Sequence, residues 1–187
     1  MNMLVTERLL LRRLDPVGDA SFVLELLNSP DWHRYIGDRG LRTVEQARGY
    51  LEGGPVAMYQ SHGFGLLRVE LREDATPIGL CGLIQRPTLP DVDLGFAYLE
   101  RHYGCGYATE AARACLAYAS GPLGLSRVLA LVQADNFRSL HVLQKLGFAY
   151  EGVQEENAAG PHLLRFALTP SKAPPGATGE PPLWPLI

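Results

Sequence analysis

The feature that most constrains this chain is a glycine-rich turn between a strand-like segment and a helix. The strand-like run covers residues 92–99, and the turn continues as Arg101-His-Tyr-Gly-Cys-Gly-Tyr-Ala-Thr-Glu110. Because Gly104 and Gly106 have no Cβ atoms, the backbone can bend tightly and a ligand can approach its N–H groups. The helix that begins near Tyr107 adds unpaired N-terminal N–H groups and its dipole. The turn is therefore predicted to bind an anion such as a phosphate.

Two common phosphate-binding motifs do not fit this turn. No Lys-Ser/Thr pair follows the glycines, which argues against a P-loop that binds Mg²⁺. No acidic residue closes a second strand about 20 residues further on, as a dinucleotide ribose requires. A diphosphate site without a metal remains, although loops use glycine freely and a purely structural turn fits the same residues.

Composition and charge narrow the class of protein. A chain of 187 residues with 47% hydrophobic residues fits one domain with a core large enough to stand alone. Its formal charge of -3 and the absence of a lysine- or arginine-rich run argue against nucleic acid as a partner. A cationic or neutral substrate is the expectation.

The cysteines and the hydropathy pattern indicate a cytoplasmic protein. Cys81, Cys105 and Cys115 form no metal-ligand spacing, and three cysteines cannot close a disulfide framework. No apolar run of about 18 residues occurs, so neither a signal peptide nor a membrane span is expected.

Hydrophobic periodicity and turn signals predict the element order β-αα-βββ-α-β-α-ββ. The predicted strands cover residues 9–14, 64–71, 78–84, 92–99, 127–133, 148–154 and 162–168, and the predicted helices residues 16–28, 44–53, about 107–119 and 137–146. The helix after the glycine turn carries a stripe of small residues that can pack close to a sheet. Because this helix connects the strands at 92–99 and 127–133, the two strands are expected to form a right-handed β-α-β unit.

The last part of the chain differs in composition. Residues 170–187 contain six prolines and end in Leu-Trp-Pro-Leu-Ile. Since proline-rich chain cannot build a helix or a central strand, residues 1–169 are the predicted domain and 170–187 a proline-rich C-terminal tail. Two interpretations of the tail are open: its apolar end docks on its own domain or on a partner subunit, or the tail is flexible.

Several ordered motifs resemble the GNAT superfamily of acyl-CoA-dependent N-acetyltransferases. The RimJ/RimL type, which modifies ribosomal-protein N-termini and related amines, is the most similar branch. The motifs lie within about residues 4–168 and are Thr6-Glu-Arg-Leu-Leu-Leu-Arg12, Ile78-Gly79, Asp93-Leu-Gly-Phe96, Gly104-Cys-Gly-Tyr-Ala-Thr-Glu-Ala111, Asn136-Phe-Arg-Ser139 and Lys145-Leu-Gly-Phe148.

The resemblance implies a fold and a co-substrate. The fold is α/β (α+β): a mixed, mostly antiparallel sheet of six to seven strands, with a central parallel pair splayed to hold acyl-CoA and about four flanking helices. The pantetheine arm of acetyl-CoA is expected along the backbone of Phe96, Ala97 and Tyr98. The diphosphate is expected on the N–H groups of Arg101, His102, Tyr103, Gly104, Cys105, Gly106, Tyr107 and Ala108.

Two residues of the implied cofactor site each have two interpretations. The Asn136 amide suits a pantetheine amide, but Asn136 is also placed to cap the helix that follows it. Many relatives carry a basic residue where this chain has Cys105, so phosphate charge would be met by backbone dipoles with help from Arg101, His102 or Arg138. Cys105 is either a small residue that fits or a thiol open to oxidation.

The implied reaction needs no protein nucleophile, because acetyl-CoA is already an activated thioester. An amine held against the thioester carbonyl can attack directly in a ternary complex. Asp93 is the candidate base, acting directly or through water, and the alternative is a structural carboxylate. Ser139 is the candidate acid for the departing thiolate, or else only a cofactor contact.

The acceptor pocket is the least defined part of the site. Trp32 and Tyr35 are expected to line it, although Trp32 equally fits the core. The five histidines form no triad or metal spacing, so no metal is expected.

The resulting hypothesis is an acetyl-CoA-dependent N-acetyltransferase that acts on a primary amine, either a protein N-terminal α-amine or a small-molecule amine. Ribosomal proteins, amino acids, polyamines and aminoglycoside-like compounds all remain open as acceptors. The alternative class is a non-catalytic CoA-binding module with a regulatory or assembly role. A homodimer is expected by analogy with relatives.

Overall fold

The strands of this protein form one mixed sheet against which the helices pack. The structure is a computed structural model that describes residues 3–154 and 163–170. The strands are β1 (Met3–Val5), β2 (Leu9–Arg13), β3 (Leu66–Leu71), β4 (Pro77–Ile84), β5 (Asp93–Tyr98), β6 (Val128–Gln133), β7 (Ala149–Gln154) and β8 (Leu163–Leu168). The helices are α1 (Ala20–Leu27), α2 (Pro30–Tyr35), α3 (Val44–Leu51), α4 (Ala57–His62), α5 (Tyr107–Ser120) and α6 (Phe137–Leu146).

The sheet consists of two antiparallel parts joined by one parallel contact. Its order is β1-β2-β3-β4-β5-β6-β8-β7. β5 and β6 run parallel and pair only at Asp93 and Leu129, whereas each pairs along its length with its other neighbour. The two central strands therefore diverge from their first residues onward. The predicted fold class and the splayed parallel pair are confirmed.

The described residues contain more strands and helices than the sequence indicated. The prediction of six to seven strands was too low because the three-residue β1 is too short to show an alternating pattern. Residues 29–42, predicted as a connection, contain α2, which has Pro30 in its first turn. About four helices were expected and six α-helices are found.

The predicted helix at 44–53 does not stop at the glycines and proline that follow it. A π-helical turn, Glu52–Val56, joins α3 to α4 and keeps the chain helical to His62. Pro55 lacks an N–H and its ring clashes with the regular helical pattern, so a locally widened turn accommodates it.

The first helix begins later than predicted, at Ala20 and not near Pro16. The Asp15 carboxylate accepts from the N–H groups of Val17 and Gly18, at 3.2 and 3.3 Å, and so holds a turn before the helix. Asp19 occupies the position before α1, but its side chain makes no cap. The Asp19 carboxylate instead pairs with Arg12 and Arg68.

Two apolar clusters form the core. The predicted small-residue stripe of α5 is confirmed: Ala111, Ala112 and Ala119 are fully buried in the larger cluster. The second cluster joins α1 and α3 to Trp32 and Leu80. Residues 155–162, and with them the predicted hairpin turn, lie outside the described residues, as does the predicted C-terminal tail from residue 171 onward. No helix in the described part is long and apolar enough to cross a membrane.

A buried cluster of charges connects α1 to the sheet. The Asp19 carboxylate is fully buried and accepts from both terminal nitrogens of Arg12, at 2.8 Å each, and from Arg68 at 2.6 Å. Glu70 completes the cluster by pairing with both arginines. The two guanidinium groups and the Asp15 N–H outweigh the cost of burial and lower the pKa of Asp19.

Replacing Asp19 by asparagine is expected to destabilise the protein by about 3–5 kcal/mol, because Arg12 and Arg68 lose the anion that compensates their burial. Urea unfolding of the wild type and D19N measures the difference. Glu45 is a suitable control because its side chain is 82% exposed. E45Q is expected to change stability by less than about 0.5 kcal/mol, and an equal loss in both variants would contradict this account.

The same carboxylate gives the protein a defined acid sensitivity. Because the pKa of Asp19 is lower in the folded state, its contribution is complete above the unfolded-state pKa of about 3.9 and is lost as pH falls through the folded-state pKa. Unfolding free energies of wild type and D19N should therefore converge as the pH is lowered through this range. A difference that stays constant down to the lowest pH would show that Asp19 stabilises by shape alone.

Candidate active site

A cavity of about 710 Å³ lies where β5 and β6 diverge, and both strands line it. The glycine turn and the first residues of α5 border it, together with α2, α6 and the π-helical turn. The cavity therefore brings together segments that are more than 100 residues apart in the chain, such as those of Asp31 and Arg138.

The edge of β5 inside the cavity offers unpaired backbone groups. Leu99 donates its N–H to Ile78 on the β4 side, at 3.0 Å, whereas the Val92 carbonyl accepts from Leu129 on the β6 side, at 2.9 Å. Since successive residues of a strand direct their backbone groups to opposite sides, those of Phe96 and Tyr98 point to the β6 side. There β6 has already turned away. Ala97 also lines the cavity, but its backbone groups pair with β4.

The glycine turn has the backbone conformation that its sequence predicted. Gly104 and Gly106 have φ angles of +76° and +82°, and Gly106 precedes α5. No side chain caps the N-terminus of α5, so its first N–H groups remain available. Gly104, Gly106, Tyr107 and Ala108 all line the cavity. Cys105 does not line it; its thiol is exposed and lies 3.5 Å from the Tyr103 carbonyl.

Three residues to which the sequence analysis gave no role, Thr6, Arg8 and Glu110, hold this turn in place. The Glu110 carboxylate accepts from the Thr6 hydroxyl at 2.6 Å and from the backbone N–H and Nε of Arg8 at 2.9 and 2.7 Å. Arg8 in turn donates to the Cys105 carbonyl at 3.0 Å, and its guanidinium lies 4.7 Å from the Tyr107 ring centroid. Thr6 and Arg8 belong to the motif at residues 6–12 and Glu110 to the motif at residues 104–111, but their pairing could not be predicted from spacing alone.

The three cations considered for phosphate binding differ in placement. Arg101 lies outside the cavity lining and is paired with Glu25 at 2.6 Å. His102 lines the cavity, but burial, followed by the charge of Arg101, lowers its pKa, so its ring is neutral at neutral pH. Of the three, Arg138 is the charged group on the cavity wall.

A bridge of polar side chains crosses the cavity border. Asp31 on α2 accepts from the Tyr103 hydroxyl, at 3.1 Å, and is paired with Arg138 on α6. The Arg138 guanidinium also stacks on the Tyr103 ring, 4.8 Å from its centroid. Burial, together with the Asp31 charge, raises the pKa of Tyr103 to about 12. Tyr103 is therefore a poor proton donor and acts as a wall.

The bridge is reinforced at the other end of α2. Gln133 of β6 donates to the Tyr35 carbonyl at 3.0 Å, and Arg34 pairs with Asp135 at 2.9 Å. α2 is therefore attached both to the glycine turn and to the strand and helix across the cavity. Its sequence signal was weak because a six-residue helix spans fewer than two turns.

Asp93 lies at the one point where the central strands meet. Its carboxylate is 1% exposed overall, lines the cavity and accepts from Arg86 Nε at 2.9 Å. Arg86 follows β4 and was not singled out in the sequence. A carboxylate at this position lies beside the unpaired edge of β5, which is where a bound thioester would end if it ran along that edge.

Asn136 and Ser139 start α6 on the opposite side of the cavity. The Asn136 side-chain oxygen accepts from the Ser139 N–H at 3.1 Å, so the expected helix cap is present. Its NH₂ group is not part of the cap and keeps its donors for a ligand. Both residues line the cavity and are half-buried.

The remaining wall of the cavity is largely apolar and aromatic. Trp32 is 5% exposed within the α1–α3 core cluster and also borders the cavity. Tyr35 lines the cavity as well. Further wall residues come from α3, α4, the loop after α2 and the segment after β4; they include Tyr50, Met58, Arg39 and Arg86. The described residues contain no group of three or more histidine, cysteine or acidic side chains able to hold a metal.

Removing the Glu110 charge is expected to loosen the glycine turn. E110Q loses the ion pair with Arg8 and should lower the free energy of unfolding by about 1–2 kcal/mol, as hydrogen bonds to charged groups typically contribute. Denaturant unfolding measures this loss. Glu52 provides the control, because its pair with Arg48 lies at the surface, and E52Q should lower stability by less than about 0.5 kcal/mol. Equal losses would mean that the Glu110 network has no special role.

Comparison with known proteins agrees with this geometry. The family model of the acetyltransferase (GNAT) domain matches residues 8–149. The uncharacterized protein YkkB of Bacillus subtilis is 31% identical over 149 residues, which cover 79% of this chain and 85% of YkkB. The uncharacterized N-acetyltransferase YoaA of the same organism is 29% identical over 153 residues, or 81% of this chain and 85% of YoaA.

Solved structures share the fold. An acetyltransferase from Agrobacterium tumefaciens superposes with a TM-score of 0.77 and 28% identity, covering 90% of this chain and 94% of that one. RimL, a ribosomal L7/L12 α-N-protein acetyltransferase in complex with coenzyme A, has a TM-score of 0.72 and 17% identity, over 90% of this chain and 98% of RimL. The similarity to RimL is one of fold. The predicted family is confirmed: this chain belongs to the GNAT acetyltransferase family and is an acyltransferase.

Proposed function

We propose that this protein transfers the acetyl group of acetyl-CoA to the nitrogen of a primary amine, by direct attack while both substrates are bound. The observation that carries the proposal is the meeting of three features in one cavity: an unpaired strand edge, an uncapped helix N-terminus behind a glycine turn, and the Asp93 carboxylate. Each suits one part of the reaction, namely pantetheine, diphosphate and amine.

The cofactor would lie along β5 and end at the glycine turn. The backbone groups of Phe96 and Tyr98 that face the cavity fit the amides of a pantetheine arm, as an added strand would. The N–H groups of Gly104 to Ala108 and the dipole of α5 fit the diphosphate. Of the three cations, Arg138 is the charged one on the cavity wall, and its guanidinium, which pairs with Asp31, would be shared between that carboxylate and the diphosphate.

The residues around Asp93 support proton removal from the amine. The amine nitrogen forms a bond to the thioester carbonyl carbon, the C–S bond breaks, and the amine proton passes to Asp93 directly or through a water molecule. The thiolate takes up a proton to give free CoA, with Ser139 on α6 as the donor in reach of the cavity. An α-amine, whose pKa is about 8, needs less help from a base than a lysine at about 10.4.

The alternative interpretation of the sequence, a non-catalytic CoA-binding module, is disfavoured by membership of the acetyltransferase family. It shares the strand edge and the glycine turn with the proposal but assigns no role to Asp93 or Ser139. Release of CoA thiol from acetyl-CoA separates the two, measured with peptides that begin with Ser, Ala or Met, free amino acids, polyamines and aminoglycosides. Turnover that depends on an amine supports the proposal. Tight CoA binding without turnover on any class supports the module.

The role of the glycine turn can be tested with a matched pair of substitutions. Gly104 and Gly63 have the same φ of +76°, and an added Cβ would meet nothing within 4 Å at either one. G104A and G63A should therefore each cost about 1 kcal/mol of stability through backbone strain. Only G104A should also raise the KM for acetyl-CoA, by roughly tenfold, because its methyl group occupies the phosphate approach. Equal KM values of G104A and G63A for acetyl-CoA would show that the glycine turn is not part of the cofactor site.

Asp93 has a nearby matched control in Asp91, which pairs with Arg127 at 2.9 Å outside the cavity lining. D93N should lower kcat by about 100-fold, as loss of a general base does, while D91N should leave kcat within about twofold. Raising the pH should partly restore D93N, because more of the amine is then already neutral. A purely structural Asp93 predicts reduced stability and no restoration by pH.

A further inference from the structure

The acceptor side of the cavity carries a positive charge that the proposed reaction does not use. Beyond Asp93, the wall contains two arginines, Arg39 and Arg86, among mostly apolar and aromatic side chains. Transfer of an acetyl group to an amine requires a base and room for the amine. A guanidinium provides neither a base nor room for the amine. We therefore expect the role of a guanidinium on this wall to lie in substrate recognition.

Arg86 is already engaged. Its Nε donates to Asp93 at 2.9 Å, and this pair compensates the buried carboxylate. Asp31, the other carboxylate on the cavity wall, is likewise engaged by Arg138 and Tyr103. Both acidic groups of the described wall therefore have their own cationic partner.

Arg39 differs from the other arginines of this wall. It lies in the loop after α2, is exposed, and borders the cavity. Its nearest acidic neighbour in sequence, Asp38, pairs with Arg42 and also accepts from the Gly40 N–H at 2.8 Å. Within residues 3–154 and 163–170, the Arg39 guanidinium has no ion pair or hydrogen bond.

The cavity that Arg39 borders also has aromatic and aliphatic wall residues. Tyr50 borders the cavity and is half-buried; burial raises the pKa of its hydroxyl, and the nearby charges of Arg39 and Arg86 oppose that rise. Met58 and Ile84 add apolar surface from α4 and the end of β4. An anion at the solvent-facing margin, next to an aromatic and aliphatic wall, fits a small molecule with a carboxylate and an apolar body.

We infer that the acceptor is a small primary amine that also carries a carboxylate, of the type of an apolar free α-amino acid, and that Arg39 binds its carboxylate. The inference rests on the proposed function and narrows its substrate class. It disfavours polyamines and aminoglycosides, which would place further positive charge beside Arg39. It also disfavours peptide N-termini, whose first carbonyl belongs to a neutral amide.

The test compares acceptors that differ only in this charge. The acceptors are leucine, leucinamide and a tripeptide that begins with leucine, together with the phenylalanine series. At a common pH more of the amide's amine is neutral, so intrinsic reactivity favours the amide and a preference for the acid reports recognition. The acid is expected to have the higher kcat/KM by about five- to tenfold, a modest factor because Arg39 is exposed. Equal or better turnover of the amide or the tripeptide would overturn the inference.

Variants assign the preference to Arg39. R39Q should abolish the preference by raising the KM for the acid, R39K should keep most of it, and the KM for acetyl-CoA should not change in either. Arg48 is the control, because it lies on α3 outside the cavity lining and pairs with Glu45 and Glu52. R48A should keep the full preference. If R39Q instead raised the KM for acetyl-CoA, Arg39 would be a cofactor contact and the inference would be wrong.

A binding measurement separates failure of this inference from failure of the proposed function. With CoA present, leucine should raise the melting temperature of the wild type more than leucinamide does, and R39Q should lose the difference. This result without acetyl transfer to any amine would overturn the catalytic proposal and leave the anion site standing. Acetyl transfer to amines with no distinction between acid and amide would support the catalytic proposal and overturn the anion site.

Discussion

The whole site depends on how little the two central strands pair. β5 and β6 share a backbone contact only near Asp93 and Leu129, after which each keeps its own antiparallel neighbour. A parallel pair in full register would satisfy the edge of β5 and close the space between the strands. The divergence instead leaves backbone donors and acceptors facing a cavity, and it puts the buried Asp93 carboxylate at the apex. The cofactor edge and the candidate base thus have one structural origin.

Contacts outside the sheet compensate for the weak pairing of β5 and β6. α2 crosses from one side to the other through Asp31, Tyr103 and Arg138, and its C-terminal carbonyl accepts from Gln133 on β6. The Arg8–Glu110 pair fixes the start of α5 against β2, so the position of the glycine turn does not depend on pairing between β5 and β6. Side-chain contacts between distant segments therefore hold the cavity open in a defined shape.

The sequence predicts the elements around the glycine turn well, because strand, turn and helix signals there agree. α6 begins at Phe137 and ends at Leu146 as predicted, since Asn136 and Gly147 provide a clear start and stop. Local signals fail where tertiary contacts decide: the second helix was predicted to end at residue 53, but the chain continues through a π-helical turn. The short β1 and α2 carry too few residues for any periodicity to appear.

The residues that border the cavity likewise divide into those with a local sequence signal and those placed by tertiary contacts. Residues inside the motifs, such as Asp93, Gly104 and Asn136, were predicted to lie together because their spacing relative to a strand or helix end is informative, and all three line the cavity. Arg39, Arg86 and Tyr50 were not found, because they border the cavity only through folding of loops and helices that share no pattern. Arg8 and Glu110 lie 102 residues apart, and only the structure shows that they form a pair.

The position of α2 also limits how this enzyme can change during evolution. The same six-residue helix supplies Trp32 and Tyr35 to the cavity wall and Asp31 to the group that borders the glycine turn. Under the proposed function, a mutation in α2 that admits a new acceptor would also disturb Tyr103 and Arg138 through their contacts with Asp31. Acceptor range and cofactor affinity would then be inherited together, and divergence toward new amines would be easier through the separate loop that carries Arg39 than through α2.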